Sequence, residues 1–408
     1  MAIEDTLFSD RKIIIASYTH VIKGKYTTIG GPGLALKDFL SKRAKKLVCI
    51  WQPLAISDTL SVIIETYGQD GCLRTSRLPF TSLSLDKEKA VSLLYILLKI
   101  RDIFSVIFYF IFRPQKFDVF IGVEAVNAML GVWLRRLGLV RRVIYYNLDY
   151  GIKRFDNAIL NYIFHFLDKF AVNNSDATWS LSEQMVSVRQ KKGIANTREH
   201  PQLVVPVGIN FYQIKRLPLE KINRKAIAYL GILEELQGVQ LVIESFKQIL
   251  QAVPDASFII IGSGVFEGKL KELVKEKGLG GNIKFTGMIS DEDARDILCE
   301  SAVGVAPYFD DPYSNTRFTE PTKPKTYLSC GLPVVITRVP RIALEIEKAG
   351  AGMAINYNQE ELTGALIKML TDDGTYKEYR KNAIAFAAKY DWQNIFEGAF
   401  RRSFEPCT

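Results

Sequence analysis

The sequence predicts two α/β domains, each built on a doubly wound parallel sheet, and three observations predict them. Short apolar runs alternate with longer amphipathic segments along the chain, as strand–helix–strand units with buried parallel strands require. At 408 residues, 48% of them apolar and 24% charged, the chain can bury two cores and is too apolar to be disordered. The stretch from Val303 to Val335 reads as a buried strand, a polar loop, a short helix with lysine in its first turn, and a second strand. At the carboxyl edge of a parallel sheet that arrangement makes an anion site. The helix start offers free N–H groups and partial positive charge, and Lys323 adds a full charge. A phosphate or a carboxylate is the expected occupant.

The first half is read in order. Ile13–Tyr18 is a buried strand closed by Thr19 and His20, and a loop ending in G-G-P-G (Gly30–Gly33) leads to a helix over Leu34–Lys42. Leu47–Trp51, Ser61–Tyr67 and Cys72–Leu78 read as strands. Val91–Phe112 is the most apolar segment. Lys99, Arg101 and Asp102 near its middle each cost roughly 2.5–3.5 kcal/mol in a bilayer, so it reads as no transmembrane span. It is a crossover helix packed on the sheet, or one that also carries a membrane-docking face. Phe117–Val123 ends at Glu124, and Val143–Tyr146 ends at Asn147 and Asp149, placing two acids at the carboxyl ends of successive strands. There a carboxylate can take a proton from a hydroxyl, although each also reads as an ordinary helix-start acid. Tyr150–Val172 reads as one helix, with His165 structural. Ala177–Ser182 and Val204–Val207 read as late strands, and Gln213–Arg224 as a linker.

In the second half, Ala226–Leu230 is a strand, and the loop opened by Gly231 leads to a helix ending near Leu250. Ser257–Ile261 runs into Gly262-Ser263-Gly264, a tight turn without the spacing of a dinucleotide fingerprint. Ile283–Gly287 is a strand. Ser290–Asp293 (S-D-E-D) reads as an acidic helix cap, and no metal site is expected. After Val334–Thr337 come a strand at Gly352–Ile355, a helix from Gln359 and a last segment with Trp392.

The net charge of +9 is uneven: residues 1–220 hold 30 Lys and Arg against 19 Asp and Glu, and residues 221–408 hold 23 against 25. The first half therefore meets something anionic, or carries solvated basic helix faces. No recognition helix or RNA-binding signature accompanies the charge, so nucleic acid is not expected. An anionic membrane surface fits the clusters Lys42–Lys46, Arg135–Arg142 and Arg189–Lys192. The start lacks the basic and apolar regions of a signal peptide, and five scattered cysteines suit a reducing compartment, so a cytoplasmic location is expected.

P-T-K-P-K-T-Y-L-S-C-G-L-P-V-V, from Pro321 to Val335, resembles the donor-sugar motif of glycosyltransferase family 4, P-x-K-x-x-E-Y-L-A-x-G-x-P-V. Pro321, Lys323, Tyr327, Leu328, Gly331, Pro333 and Val334 fall in register. Thr326 stands where the family's ribose-holding glutamate falls, and Phe318 where its companion does, so Glu320 or the Thr326 hydroxyl takes that part. Ile232 and Gln237 stand where the family has its phosphate-grasping arginine and lysine. V-V-P-V-G-I-N (Val204–Asn210) resembles the family's hinge entry.

The resemblance implies the GT-B arrangement: an acceptor domain over 1–212, a linker over 213–225, a nucleotide-sugar domain over 226–391, and a C-terminal helix over 392–408 crossing back. It implies a retaining, metal-independent transferase in polysaccharide or cell-envelope synthesis, with no cofactor beyond a nucleoside-diphosphate sugar. The basic first half adds the expectation that the acceptor is a glycan or a lipid-linked sugar, met peripherally at the inner membrane face. Lys323, Asp149 and Glu124 are the expected catalytic residues. Gly231, Gln237, Gly262, Gly264, Met288, Ile289, Arg317, Glu320, Pro321, Thr326 and Tyr327 are expected to hold the donor. His20, Gly30, Gly31, Tyr150 and Arg154 are expected to hold the acceptor. The missing glutamates leave a nucleotide-sugar-binding pseudoenzyme open, and the fold leaves open an epimerase or hydrolase.

Overall fold

The computed structural model describes residues 7–19, 21–22, 25–26, 31–54, 57, 61–68, 71, 73–78, 91–150, 155, 157–311 and 321–404. They fall into two compact units, one of Met1–Val207 with Ile395–Thr408 and one of Gly208–Asn394.

The first unit opens with β1 (Lys12–Thr19), a two-residue antiparallel pair, β2 (Val21–Ile22) and β3 (Lys25–Tyr26), and α1 (Gly31–Ser41). Then come β4 (Lys46–Pro53), β5 (Ile63–Gly68), β6 (Leu73–Arg77), α2 (Val91–Phe112), β7 (Phe117–Val123), α3 (Ala125–Arg136) and β8 (Val140–Asn147). α4 (Ala158–Asn174), β9 (Ala177–Ser180), α5 (Glu183–Lys191) and β10 (Gln202–Val204) complete it. The sheet order is β10-β9-β8-β7-β1-β4-β5-β6. Its six strands from β10 to β4 are parallel, and the apolar run Ile13–Ala16 is wholly buried in the middle. β5 and β6 run antiparallel at the edge, so the sheet is mixed rather than purely parallel. Among the described residues no helix separates β4, β5 and β6, and strands joined without a crossover pair antiparallel.

Three local expectations are corrected. Gly31, Pro32 and Gly33 form the first turn of α1 rather than the loop before it, where proline's fixed φ suits a helix start. α4 begins at Ala158 and not at Tyr150, because the Asn157 side chain caps it, accepting from the N–H groups of Ile159 and Leu160 at 3.0 and 3.1 Å. The strand expected to end at Ser182 ends at Ser180, since the Ser182 hydroxyl caps α5, a helix the sequence reading missed.

The second unit contains β11 (Asn223–Leu230), α6 (Val239–Ala252), β12 (Ser257–Ile261), α7 (Glu267–Glu276), β13 (Ile283–Gly287), α8 (Asp291–Glu300) and β14 (Ser301–Ala306). α9 (Thr322–Cys330), β15 (Val334–Thr337), α10 (Ile342–Lys348), β16 (Gly352–Ile355), α11 (Gln359–Thr371) and α12 (Asp373–Ala388) follow. All six strands are parallel, in the order β13-β12-β11-β14-β15-β16. Alternate strand residues feed two cores: Ile227, Tyr229, Val303 and Val335 pack with α6 and α11, while Ala228, Ala306, Val334 and Ile336 pack with α8, α9 and α12. The strand order reverses between β11 and β14, and such a reversal opens a crevice at the carboxyl edge.

α13 (Trp392–Phe404) ends the described chain. Its Phe400 packs edge-on against Phe8 and Trp179, and Trp179 Nε1 donates to Ser403 Oγ at 2.9 Å, so its residues from Ile395 onward belong to the first unit.

Candidate functional site

The reversal point of the second sheet is built around Gly231 and Lys323. β11 ends at Leu230, and Gly231 follows at φ 147°, a conformation that side-chain-bearing residues rarely adopt. A Cβ there would lie 2.3 Å from Lys323 Cε, so glycine is also what lets the lysine pass. Gly262, at the end of β12, lies so close to this turn that a Cβ would sit 2.0 Å from the Gly231 carbonyl oxygen. A Cβ on Gly264 would lie 2.2 Å from the Leu233 carbonyl oxygen. The glycines thus stack two backbone turns on each other beside the start of α9.

Pro321 stands before α9 in extended conformation, among the described residues no side chain caps the helix, and its first turn holds no acid. Its leading N–H groups and its dipole therefore face the same turn as the Lys323 side chain. The Lys323 ammonium donates to the Tyr229 hydroxyl at 2.9 Å and to Gln237 Oε1. It lies 4.8 Å from the Tyr229 ring centre and 5.4 Å from that of Tyr308. Burial pushes its pKa down to about 7, with Glu234 pulling the other way. The site thus holds a buried lysine with no carboxylate paired to it among the described residues, lodged between aromatic rings and beside a helix N-terminus.

Tyr327 does not reach toward a ligand. It is fully buried, its hydroxyl accepts from the Leu230 N–H at 2.7 Å, and its ring fills the space a Cβ on Gly304 would need. It ties α9 to the end of β11 and so positions Lys323 over Gly231. The Thr326 hydroxyl donates back to the Thr322 carbonyl at 3.2 Å. Lys325 is buried with its ammonium 4.1 Å from the Tyr390 ring centre. Met288, 83% exposed, and the half-buried Ile289 follow the end of β13 on the same sheet edge. Arg317 and Glu320 lie outside the described residues. A separate depression of about 320 Å³ sits at the ends of β14, β15 and β16, lined by Phe309, Thr337, Arg338 and Tyr357 among others. Sequence reasoning missed Tyr229, because a tyrosine in an apolar strand reads as core, and Tyr308, which follows β14.

In the first unit Glu124 lies at the equivalent reversal, between β1 and β7. Its φ of 69° and ψ of 158° make it the one non-glycine residue with positive φ among the described residues. That region is nearly reserved for glycine and costs about 1–3 kcal/mol, a strain that gathers at functional sites. Glu124 Oε1 accepts from the Leu148 N–H at 3.3 Å, which links the ends of β7 and β8. Asp149 is exposed just beyond β8. Tyr150 is half-buried, its hydroxyl 3.5 Å from His165 Nδ1 and its ring 4.7 Å from the Arg189 guanidinium carbon. Burial pushes the Tyr150 hydroxyl up to about 12. His20, Gly30 and Arg154 lie outside the described residues, and Gly31 opens α1.

Beneath this edge Arg189 and Asp168 form a fully buried ion pair at 2.7 Å. Asp168 also accepts from Tyr145, and Arg189 from the other side donates to Ser180 Oγ at 2.7 Å. Arg189 therefore leaves the basic surface cluster that the sequence suggested. Arg135 leaves its cluster in the same way, paired with Asp176 at 2.6 Å. No group of three His, Cys, Asp or Glu side chains gathers to hold a metal among the described residues.

A parallel sheet with glycine turns and a buried lysine at its carboxyl edge, in a chain whose first unit holds a mostly parallel sheet, defines a class, and solved structures identify it. The fold matches sucrose-phosphate synthase from Thermosynechococcus elongatus at a TM-score of 0.62 and 14% identity, over 97% of this chain and 99% of that one. It matches Anabaena HepE in complex with UDP equally, at 0.62 and 15% identity, over 96% and 98%. The fold is that of the GT-B glycosyltransferases.

Within that class, residues 224–372 match the family described as Glycosyl transferases group 1. The match is to the group and does not single out family 4. One relative is the D-inositol 3-phosphate glycosyltransferase of Corynebacterium jeikeium, 21% identical over 177 residues, 41% of either chain. Another is the poly(glycerol-phosphate) alpha-glucosyltransferase of Bacillus subtilis, 25% identical over 186 residues, 45% of this chain and 26% of that protein. The chain thus spans less than half the length of these relatives.

Proposed function

We propose that the protein is a retaining, metal-independent glycosyltransferase that moves a sugar from a nucleoside-diphosphate sugar to a glycan or lipid-linked acceptor of the cell envelope. The observation that carries this reading is the Lys323 ammonium, held over the Gly231 turn at the start of α9. In glycosyl transfer the bond from the anomeric carbon to the diphosphate breaks as the bond to the acceptor oxygen forms. Most negative charge develops on the leaving diphosphate, and fixed positive groups placed there lower the barrier. Lys323 and the α9 N-terminus are such groups, and Gln237 orients the lysine. Glu124 and Asp149 mark the carboxyl edge of the first sheet as the acceptor side, where a carboxylate can take the hydroxyl proton.

The poly(glycerol-phosphate) in one relative's name supports a polymeric acceptor, and the neighbour solved with UDP supports a uridine donor. Among the described residues no helix is long and apolar enough to cross a membrane. A second reading, a nucleotide-sugar-binding protein without transfer, draws on α9 itself, which carries no carboxylate and whose Thr326 hydroxyl is turned to its own helix.

A thermal-shift panel of UDP, GDP, ADP and CMP tests donor binding, and transfer from the matching sugar nucleotide tests activity. One nucleotide at about 100 times its dissociation constant should stabilise the protein by about 2.7 kcal/mol, and Lys323→Ala should lose most of that shift. No shift with any nucleotide refutes the proposal. A shift without transfer to any glycan or lipid-linked acceptor favours the second reading.

A further inference from the structure

On one side of the first unit's sheet α2, α3 and α4 lie next to one another, with α3 packed against both others. Two of them bury charges and present apolar residues outward. In the middle of α2 the charges face inward: Arg101 and Asp102 are buried against each other at 2.6 Å, Arg101 donates to the Pro53 carbonyl, and Lys99 lies 3.7 Å from the Tyr18 ring centre. The outward stripe of the same helix is Ile100, Phe104, Phe108, Ile111 and Phe112, the last 73% exposed. The three phenylalanines form one exposed row, with centroids 6.3 and 5.8 Å apart. α4 repeats the pattern. Its Asp168 is fully buried, while Ile159, Tyr162 and Phe166 stand out at 70, 71 and 57% exposure. α3 adds Trp133 and Leu137 between them. A helix on the surface of a water-soluble domain does the reverse, and an apolar patch of this extent marks an interaction face.

Charge decides what it meets. Asp102 and Asp168 are the acidic residues of these three helices, and both are buried. The charges toward solvent are basic. Exposed Arg136 lies 4.8 Å from the Trp133 ring centre, exposed Lys169 continues the α4 stripe beyond Phe166, and half-buried Arg113 follows Phe112.

We propose that the α2–α3–α4 face docks the protein flat on an anionic lipid bilayer. Phenylalanine and isoleucine side chains enter the acyl boundary, Trp133 and Tyr162 sit at headgroup level, and Arg113, Arg136 and Lys169 meet the phosphates. α2 lies along the surface and does not cross it, since its central charges are committed inward. A second copy of the chain is disfavoured as the occupant, because a symmetric pairing would bring Arg136 and Lys169 against like charges. The inference draws only on the first unit and stands apart from the transferase reading.

Flotation of the full chain with vesicles of phosphatidylcholine, alone and mixed with phosphatidylglycerol, tests it. Binding is expected with the mixed vesicles and weaker at high salt. Phe108→Ser with Phe112→Ser should lower the partition coefficient more than about tenfold, since each ring loses its burial in the acyl boundary. Arg136→Glu with Lys169→Glu should remove the preference for the anionic mixture. Both pairs replace exposed side chains and should leave the thermal midpoint and the nucleotide-induced shift unchanged, so loss of docking is read independently of donor binding. Absence of wild-type binding, or equal binding by wild type and both variants, overturns the proposal. Absence of vesicle binding together with a dimer that the phenylalanine variant dissolves assigns the face to a second copy instead.

Discussion

Binding of a nucleoside diphosphate should weaken as pH rises above neutrality, and Lys323 should be the cause. Burial takes its pKa from 10.5 to about 7, against the pull of Glu234. That displacement corresponds to about 5 kcal/mol held against the charged form, an upper value for a site that solvent can enter. A diphosphate lodged at the start of α9 restores the charged form by pairing with it. Above about pH 7 the free protein therefore carries a neutral lysine, and binding must take up a proton. The dissociation constant should rise by nearly tenfold per pH unit between about pH 7 and about pH 9, and be flat below that window. Calorimetric titration in buffers of different ionisation enthalpy would read close to one proton taken up at about pH 8.

The same lysine acts on folding with the opposite sense. Its folded pKa lies below its unfolded value, so the unfolded chain binds more protons between about pH 7 and pH 10.5, and Lys323 makes stability rise with pH over that range. Lys323→Met should remove both slopes at once: flat binding, no proton uptake, and a flatter stability profile. A wild-type binding profile that is flat across the window, or one with the same slope in Lys323→Met, would refute the account of the site.

The buried pair in the first unit gives a sharper stability test. Arg189→Met leaves the Asp168 carboxylate buried with only Tyr145 beside it, which should cost about 3–5 kcal/mol in urea unfolding, and Arg189→Met with Asp168→Leu should recover most of it. A single variant within about 1 kcal/mol of wild type would mean that solvent reaches the carboxylate. Glu124→Gly should relieve about 1–3 kcal/mol of backbone strain, less the roughly 1 kcal/mol that glycine loses in chain entropy, so its midpoint should stay level or rise while transfer falls. A glycine variant less stable than Glu124→Ala would refute the strain.

Most of the fold was legible because strands buried on both faces leave no choice of pattern. Ile13–Ala16, Phe258–Ile261 and Val334–Ile336 are continuous apolar runs, and each became a central strand. The misses fall where a single polar side chain overrides a periodic pattern. Asn157 and Ser182 start helices by capping, and the apolar spacing around them extends smoothly through the boundary. The candidate donor site was legible in its glycines and its lysine, since close backbone approach and a cation at a helix start each demand one residue type. The tyrosines around Lys323 were not, because Tyr229 and Tyr308 serve the core with their rings and the site with what lies at the ring edge.

Periodicity carries no phase. The spacing of Ile96, Ile100, Phe104, Phe108 and Phe112 in α2 shows an apolar stripe, and the default assigns that stripe to the sheet. In the folded chain Val106, Tyr109 and Phe110 take the inward positions, with Arg101 and Asp102 neutralising each other among them. A sequence with apolar residues on both faces of a helix states only that both faces must be covered. Which one meets the sheet depends on where Arg101 can pair with Asp102 and also reach the Pro53 carbonyl, a group about fifty residues away in sequence that only the tertiary fold brings within 2.9 Å. The charges in the middle of α2, which first argued against a membrane-spanning helix, are thus also what fixes the opposite face toward the outside.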